Sequence, residues 1–118
     1  MRELTGEQVL LRIMLGESDK QDGKPTYQAI VELLRREKIS GATVLRGITG
    51  YGAHSHPHTA NILRLSQDLP VVVEVVDSQE NIDRVLPQIE QYIHGGLITM
   101  EKVRVIKYIG DNRQGLSP

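Results

Sequence analysis

The sequence predicts an α+β domain of the ferredoxin-like, split βαβ kind (βαββαβ): a four-stranded antiparallel sheet with two helices on one face. Three observations lead there. Short aliphatic segments bounded by turn residues have the length and composition of strands. Two longer segments repeat apolar residues with the helical period. The two kinds follow one another as β-α-β, a long connection, then β-α-β, within 118 residues.

Residues 9 to 15, VLLRIML, form the first predicted strand. Val9, Leu11, Ile13 and Leu15 share one face, and Leu10, Arg12 and Met14 the other. The polar run GESDKQDGKP reads as a loop, in which Glu17, Ser18 and Asp19 are expected to be solvated. Pro25 stands where a helix can begin without its missing N–H. Tyr27, Ile30, Val31 and Leu34 then make one apolar stripe on a helix of about 25 to 38, and Gly41 is expected to end the turn. Residues 43 to 49, TVLRGIT, are a second strand whose mixed pattern suits a sheet edge. Residues 71 to 76, VVVEVV, are a β-branched third strand. Asp77 with Glu80 fits a capping pattern, and Ser78 is an equally good cap. The next helix carries Ile82, Val85, Leu86, Ile89 and Ile93; Pro87 should bend it, and Gly95 with Gly96 should supply the left-handed stop. The last strand is placed at 103 to 108, VRVIKY, preceded by a short extended piece at Leu97 to Thr99.

Composition sets further bounds. The chain reads as one domain over 1–118, with its core at about 9–108 and a frayed tail at 109–118. There is no cysteine, which excludes disulfides, thiolate metal sites and a cysteine nucleophile, and agrees with a reducing, cytoplasmic location. The formal net charge of −1 gives no basic excess for nucleic acid. No apolar run reaches the length of a membrane span, and the N-terminus lacks a signal-peptide core. Phe and Trp are absent, so the core must be built from Val, Ile and Leu.

Two helices cover only one face of such a sheet. The other is expected to carry Leu10, Met14, Val72, Val76 and Ile106 among Arg12, Glu74 and Arg104. Burying each such aliphatic side chain is worth roughly 1.5–3 kcal/mol, so this face predicts a homo-oligomer, with the charges paired across or around the interface.

Chemistry concentrates in residues 47 to 70, GITGYGAHSHPHTANILRLSQDLP, a connection longer than an idle one. Gly47, Gly50 and Gly52 allow close backbone approach to a ligand, and exposed N–H groups at such a turn form an anion-binding nest. No Walker sequence or helix-opening G-x-G-x-x-G accompanies them. His54, His56 and His58 alternate with Ser55 and Pro57, so three imidazoles on an extended segment share a face and could meet zinc, copper or nickel. No carboxylate or cysteine nearby completes a ligand set, and Pro57 distorts the extension. Asp68, before Leu69 and Pro70, is read as fixing a turn. No nucleophile elbow or paired carboxylates point to catalysis, so no enzyme is expected.

The runs GATVLRGITGYGAHS, LSQDLPVVVEVVD and GGLITMEKVRVIKY, with GKPTYQAIVELL before them, resemble a PII-like family long classed as a domain of unknown function, similar to PII nitrogen-signalling proteins. The resemblance spans Leu10 to Tyr108. It implies a ferredoxin-like fold and a homotrimer with its sheets packed inward. It also implies an adenine nucleotide in clefts between subunits, built from the base of the long loop and the loop before the final strand. By position these are Gly50, Tyr51 and Gly52, then Gly96, Leu97, Ile98, Thr99 and Lys102. Lys102 falls where the PII pattern has a phosphate-contacting lysine. Thr99, Met100 and Glu101 depart from the glycine-rich run that precedes it, and Glu101 would repel phosphate, so AMP or ADP is expected over ATP. The resemblance further implies a signalling role, with residues 50 to 68 offered to a partner such as a membrane transporter. The alternative is a metal-responsive protein using the histidine loop.

Overall fold

The computed structural model describes residues 3–52 and 68–110. The elements run β1 (Gly6–Gly16), β2 (Lys20–Gln21), β3 (Lys24–Pro25), α1 (Thr26–Arg36), β4 (Thr43–Arg46), β5 (Pro70–Asp77), α2 (Gln79–Glu90) and β6 (Leu97–Val105). The sheet order is β4-β5-β1-β6, antiparallel at every junction, which is the predicted split βαβ topology.

Strand β1 lies inside the sheet and pairs along both edges, with β5 from Val9 opposite Asp77 to Gly16 opposite Pro70, and with β6 from Gly6 opposite Val105 to Met14 opposite Leu97. Its alternation decides the faces. Val9, Leu11, Ile13 and Leu15 pack beneath the helices with Val71, Val73 and Val75 of β5. From α1 they meet Ile30, Leu33 and Leu34, and from α2 Ile82, Val85 and Ile89. The core is aliphatic, as a chain without Phe or Trp requires.

Several boundaries differ from the sequence reading. The loop after β1 contains a small ribbon, β2 paired with β3, turned by Asp22 (φ 53°) and Gly23 (φ 80°). Positive φ at both turn residues is what a tight Asp-Gly hairpin needs. Lys24 on the ribbon bonds Glu32 of α1 at 2.7 Å, and this bond, with that from Gln28, holds the Glu32 carboxyl below its ordinary range. The tie therefore acts above the usual glutamate titration and is lost as pH falls through it. Helix α1 ends at Arg36, two residues before the expected end at about 38. Lys38 takes positive φ (62°), and the Ile39 N–H bonds the Leu34 carbonyl (3.0 Å), a Schellman-type closure on a non-glycine residue.

Ser78 is the cap of α2, its hydroxyl accepting the Asn81 N–H at 3.1 Å. Asp77 does different work. It is fully buried, and it accepts hydrogen bonds from the Ser40 N–H (2.8 Å), the Ser78 N–H (2.7 Å) and the Asn81 amide (2.9 Å). It thereby ties the turn after α1 to the start of α2. Tyr108 adds a bond from its hydroxyl to the Ser40 carbonyl at 3.1 Å. Helix α2 runs through Pro87 and stops at Glu90, before Ile93 and the glycines.

The largest correction concerns β6. It starts at Leu97 and ends at Val105, six residues ahead of the predicted strand, and Ile106 to Tyr108 lie beyond it. An edge strand with one wet side tolerates Glu101 and Lys102, whose polarity separated the extended piece at Leu97 to Thr99 from the strand placed at 103 to 108. The open face changes with it. Arg104 stands opposite Glu7, on the helix-side register, and Ile106 is past the strand. In their places the open face carries Leu97, Thr99, Glu101 and Val103, with Thr43 and Leu45 from β4. Arg12 sits between Glu74 (2.9 Å) and Glu101 (2.8 Å), which hold its guanidinium above its usual range, chiefly through the Glu74 hydrogen bond.

Because Asp77 satisfies three donors in a dry position, Asp77→Ala should lower unfolding free energy by on the order of 3 kcal/mol in urea titrations, the cost of leaving buried donors unpaired.

Candidate functional site

A cleft of about 390 Å³ opens at the end of the sheet where β1 finishes. Five segments build it: Met14 to Gly16 from β1, Asp19 from the loop after it, Tyr51 and Gly52 after β4, Asp68, Pro70 and Val72 at the start of β5, and Gly95 to Leu97 leading into β6. Apart from Asp19, they are far apart in sequence and meet because β1 is flanked by β5 and β6. Gly52 and Asp68, the described residues on either side of 53–67, both line the cleft.

Glycines shape the walls by close approach. At Gly96 (φ 146°) a Cβ would lie 2.4 Å from the Met14 carbonyl oxygen, so only glycine lets the chain pass β1 and enter β6. At Gly47 a Cβ would come within 2.8 Å of the Pro70 ring, and at Gly50 (φ 152°) within 3.1 Å. The Gly47 N–H bonds the Pro70 carbonyl (2.7 Å), which ends the β4–β5 pairing and turns the chain toward Tyr51. The Tyr51 ring is 85% exposed at the mouth.

The charges in the cleft are acidic. Asp19 accepts the Gly16 N–H at 3.1 Å, and Asp68 accepts the Ser18 N–H at 3.2 Å. The Glu17 N–H bonds the Leu69 carbonyl at 2.8 Å, so the loop after β1 is laced to the stem before β5. Basic groups nearby go elsewhere. Arg46 pairs with Glu17, while Lys20 and His94 line an adjoining cavity of about 250 Å³ that shares Leu15, Asp19 and Gly95 with the cleft.

The two segments named from the sequence thus meet at one place, in part. Tyr51, Gly52, Gly96 and Leu97 line the cleft, and Gly50 packs on Pro70 behind it. Ile98 turns to the core, and Thr99 lies on the open face. Lys102 is well inside β6 rather than before it, opposite Val9 on the helix-side register, exposed and 4.0 Å from Glu7. Glu101 bonds Arg12 on the open face and does not line the cleft. His54, His56 and His58 lie outside the described residues; among the described residues no three His, Asp or Glu gather as a metal site. Sequence reasoning missed Gly16, Asp19 and Pro70 as cleft residues. Asp68, expected to fix the turn before Pro70, instead accepts the N–H of Ser18 from the loop after β1, and it lines the cleft.

Residues 8–105 match the family model DUF190, described as "Uncharacterized ACR, COG1993", and the chain belongs to that family. It is 46% identical over 99 residues to the UPF0166 protein MJ1524 of Methanocaldococcus jannaschii, covering 83% of this chain and 91% of that one. A UPF0166 protein of Aquifex aeolicus is 42% identical over 97 residues, covering 82% and 91%. Among solved structures, CPII of Thiomonas intermedia bound to ADP, AMP and acetate superposes with a TM-score of 0.62 at 16% identity, over 86% of this chain and 91% of that one. A putative PII-like signaling protein of Thermus thermophilus, TTHA0516, gives 0.58 at 19% identity, over 86% and 91%. The fold is therefore PII-like.

Gly96→Ala should lower stability by about 2 kcal/mol or more, from backbone strain and the clash with Met14. Gly41→Ala, with open space around it, should stay within about 0.5 kcal/mol of wild type in the same denaturant titration.

Proposed function

We propose that this DUF190 protein is a non-catalytic, PII-like regulator that binds an adenine nucleotide, AMP or ADP rather than ATP, at the cleft closing the end of its sheet. The carrying observation is that Tyr51–Gly52 and Gly96–Leu97, which the PII resemblance assigns to ligand binding, line one cleft of nucleotide-compatible size. Solved PII-like neighbours bound to ADP and AMP favour the same ligand class.

In this reading the active form is a homotrimer, with each cleft completed by a neighbouring copy. The open face supports it. Leu10, Met14, Val72 and Val76 are only half-buried there, and Leu45 and Leu97 are 49% and 53% exposed. The charges among them are already paired within the chain, through Arg12, Glu74 and Glu101. A second copy therefore need not bring compensating charge to cover this aliphatic surface, and covering it is favourable.

The regulatory output would run through residues of about 50 to 68, most of which lie outside the described residues, offered to a protein partner such as a membrane transporter. A ligand between Gly52 and Asp68 touches both stems of that segment. It needs to prefer one arrangement by only a few kcal/mol to switch the population.

Titration calorimetry should show saturable binding of AMP or ADP, and no heat or thermal shift with any adenine nucleotide would refute the assignment. Sedimentation should give a trimer at micromolar concentration. Leu10→Glu, which puts a charge in the middle of the open face, should release monomers and weaken nucleotide binding at least tenfold.

A further inference from the structure

We propose that Asp19 and Asp68 set how many phosphates the cleft accepts, selecting an adenine ligand with few negative charges and rejecting free triphosphate. The proposal rests on the nucleotide reading and adds the residues that discriminate within it.

The geometry is specific. A Cβ built on Gly16 would lie 2.7 Å from Asp68 Oδ1 and 3.1 Å from Asp19 Oδ1, so two carboxylate oxygens converge beside Gly16 on the floor of the cleft. Each is held by one backbone N–H, from Ser18 and Gly16 respectively, which fixes position without cancelling charge. Among the described residues neither carboxylate has a salt-bridge partner, and no Lys, Arg or His lines the cleft. The site therefore offers shape, from glycine, proline and leucine, and a local negative charge. A phosphate chain gains unfavourable Coulomb energy with each added group as it nears these oxygens. Glu101 cannot play this part, since it points to the open face and is paired with Arg12.

The test uses charge-only changes. Asparagine keeps the side-chain oxygen that accepts the backbone N–H, so Asp68→Asn and Asp19→Asn should leave the melting temperature unchanged. Wild type and both variants are titrated with adenosine, AMP, ADP and ATP, each in EDTA and again with Mg²⁺. In EDTA the wild type should bind ATP more weakly than AMP. Each asparagine variant should tighten ADP and ATP by roughly two- to fivefold, the range of a partly screened charge contact, and leave adenosine unchanged. Equal ratios among the four ligands in wild type and variants would overturn this inference alone. So would Mg²⁺-dependent tightening of ATP that disappears in Asp68→Asn, because the carboxylates would then be holding a cation. Failure of all four compounds to bind wild type overturns the nucleotide reading and this inference with it.

Discussion

The double pairing of β1 is the constraint on which the molecule depends. One strand bonds β5 along one edge and β6 along the other, and its side chains alternate between a core under two helices and an open face. A register slip of one residue would send Leu11 and Ile13 outward and Arg12 into the helix layer, so the pairing is strongly specified. The same pairing places the end of β1 between the stem before β5 and the turn before β6. The cleft is thus a consequence of the sheet order, and its floor is as rigid as the strand that forms it.

Much of this was legible in the sequence, for identifiable reasons. Helices α1 and α2 announced themselves through stripes such as Ile30–Leu34 and Ile82–Val85–Ile89, all buried as the period requires. The valines of β5 could hardly be anything but an inner strand. The misreadings cluster where local chemistry and tertiary context disagree. Residues 100 to 102 fell between the extended piece at Leu97 to Thr99 and the strand placed at 103 to 108, yet 97 to 105 form one continuous β6. An edge strand is held by backbone bonds to β1, and these do not depend on which side chains project into water. The β2–β3 ribbon was legible in Asp22-Gly23, a strong short-range hairpin signal, but the flanking residues offer no apolar alternation to extend it. Gly96 was read as a helix stop because two adjacent glycines follow an apolar stripe. Its actual reason, the Met14 carbonyl 2.4 Å from where a Cβ would sit, is a contact between residues 82 positions apart that no local pattern encodes.

The open face shows a related limit. Its apolar content was visible from β1 and β5, whose alternation was read correctly, whereas the contribution of β6 was shifted by one register. Restoring the register replaces Arg104 with Glu101 and completes a triad around Arg12. That matters energetically. A face carrying unpaired arginines would demand partner carboxylates on association, and desolvating them would be costly. With Arg12 held between two glutamates, the charge is settled inside one chain, and the rest of the open face is mainly Leu10, Met14, Leu45, Val72, Val76 and Leu97.

A similar displacement governs the cleft. From sequence, the acid expected to oppose phosphate was Glu101 and the cation expected to attract it was Lys102, because both seemed to stand in a loop. Once both belong to β6, neither lines the cleft of its own chain, and the charges that do line it are Asp19, read from the sequence as solvated, and Asp68, read as fixing a turn. Asp19 closes its own turn by accepting the Gly16 N–H, and Asp68 ties its stem to the loop after β1 by accepting the Ser18 N–H, so both carboxylates are held in place. A carboxylate on a free side chain would swing away from phosphate at little cost, whereas one tied to the backbone cannot do so without giving up its hydrogen bond. The structural role and the proposed discriminating role would therefore be one arrangement, in which the bonds that hold the loops also keep the negative charge at the cleft.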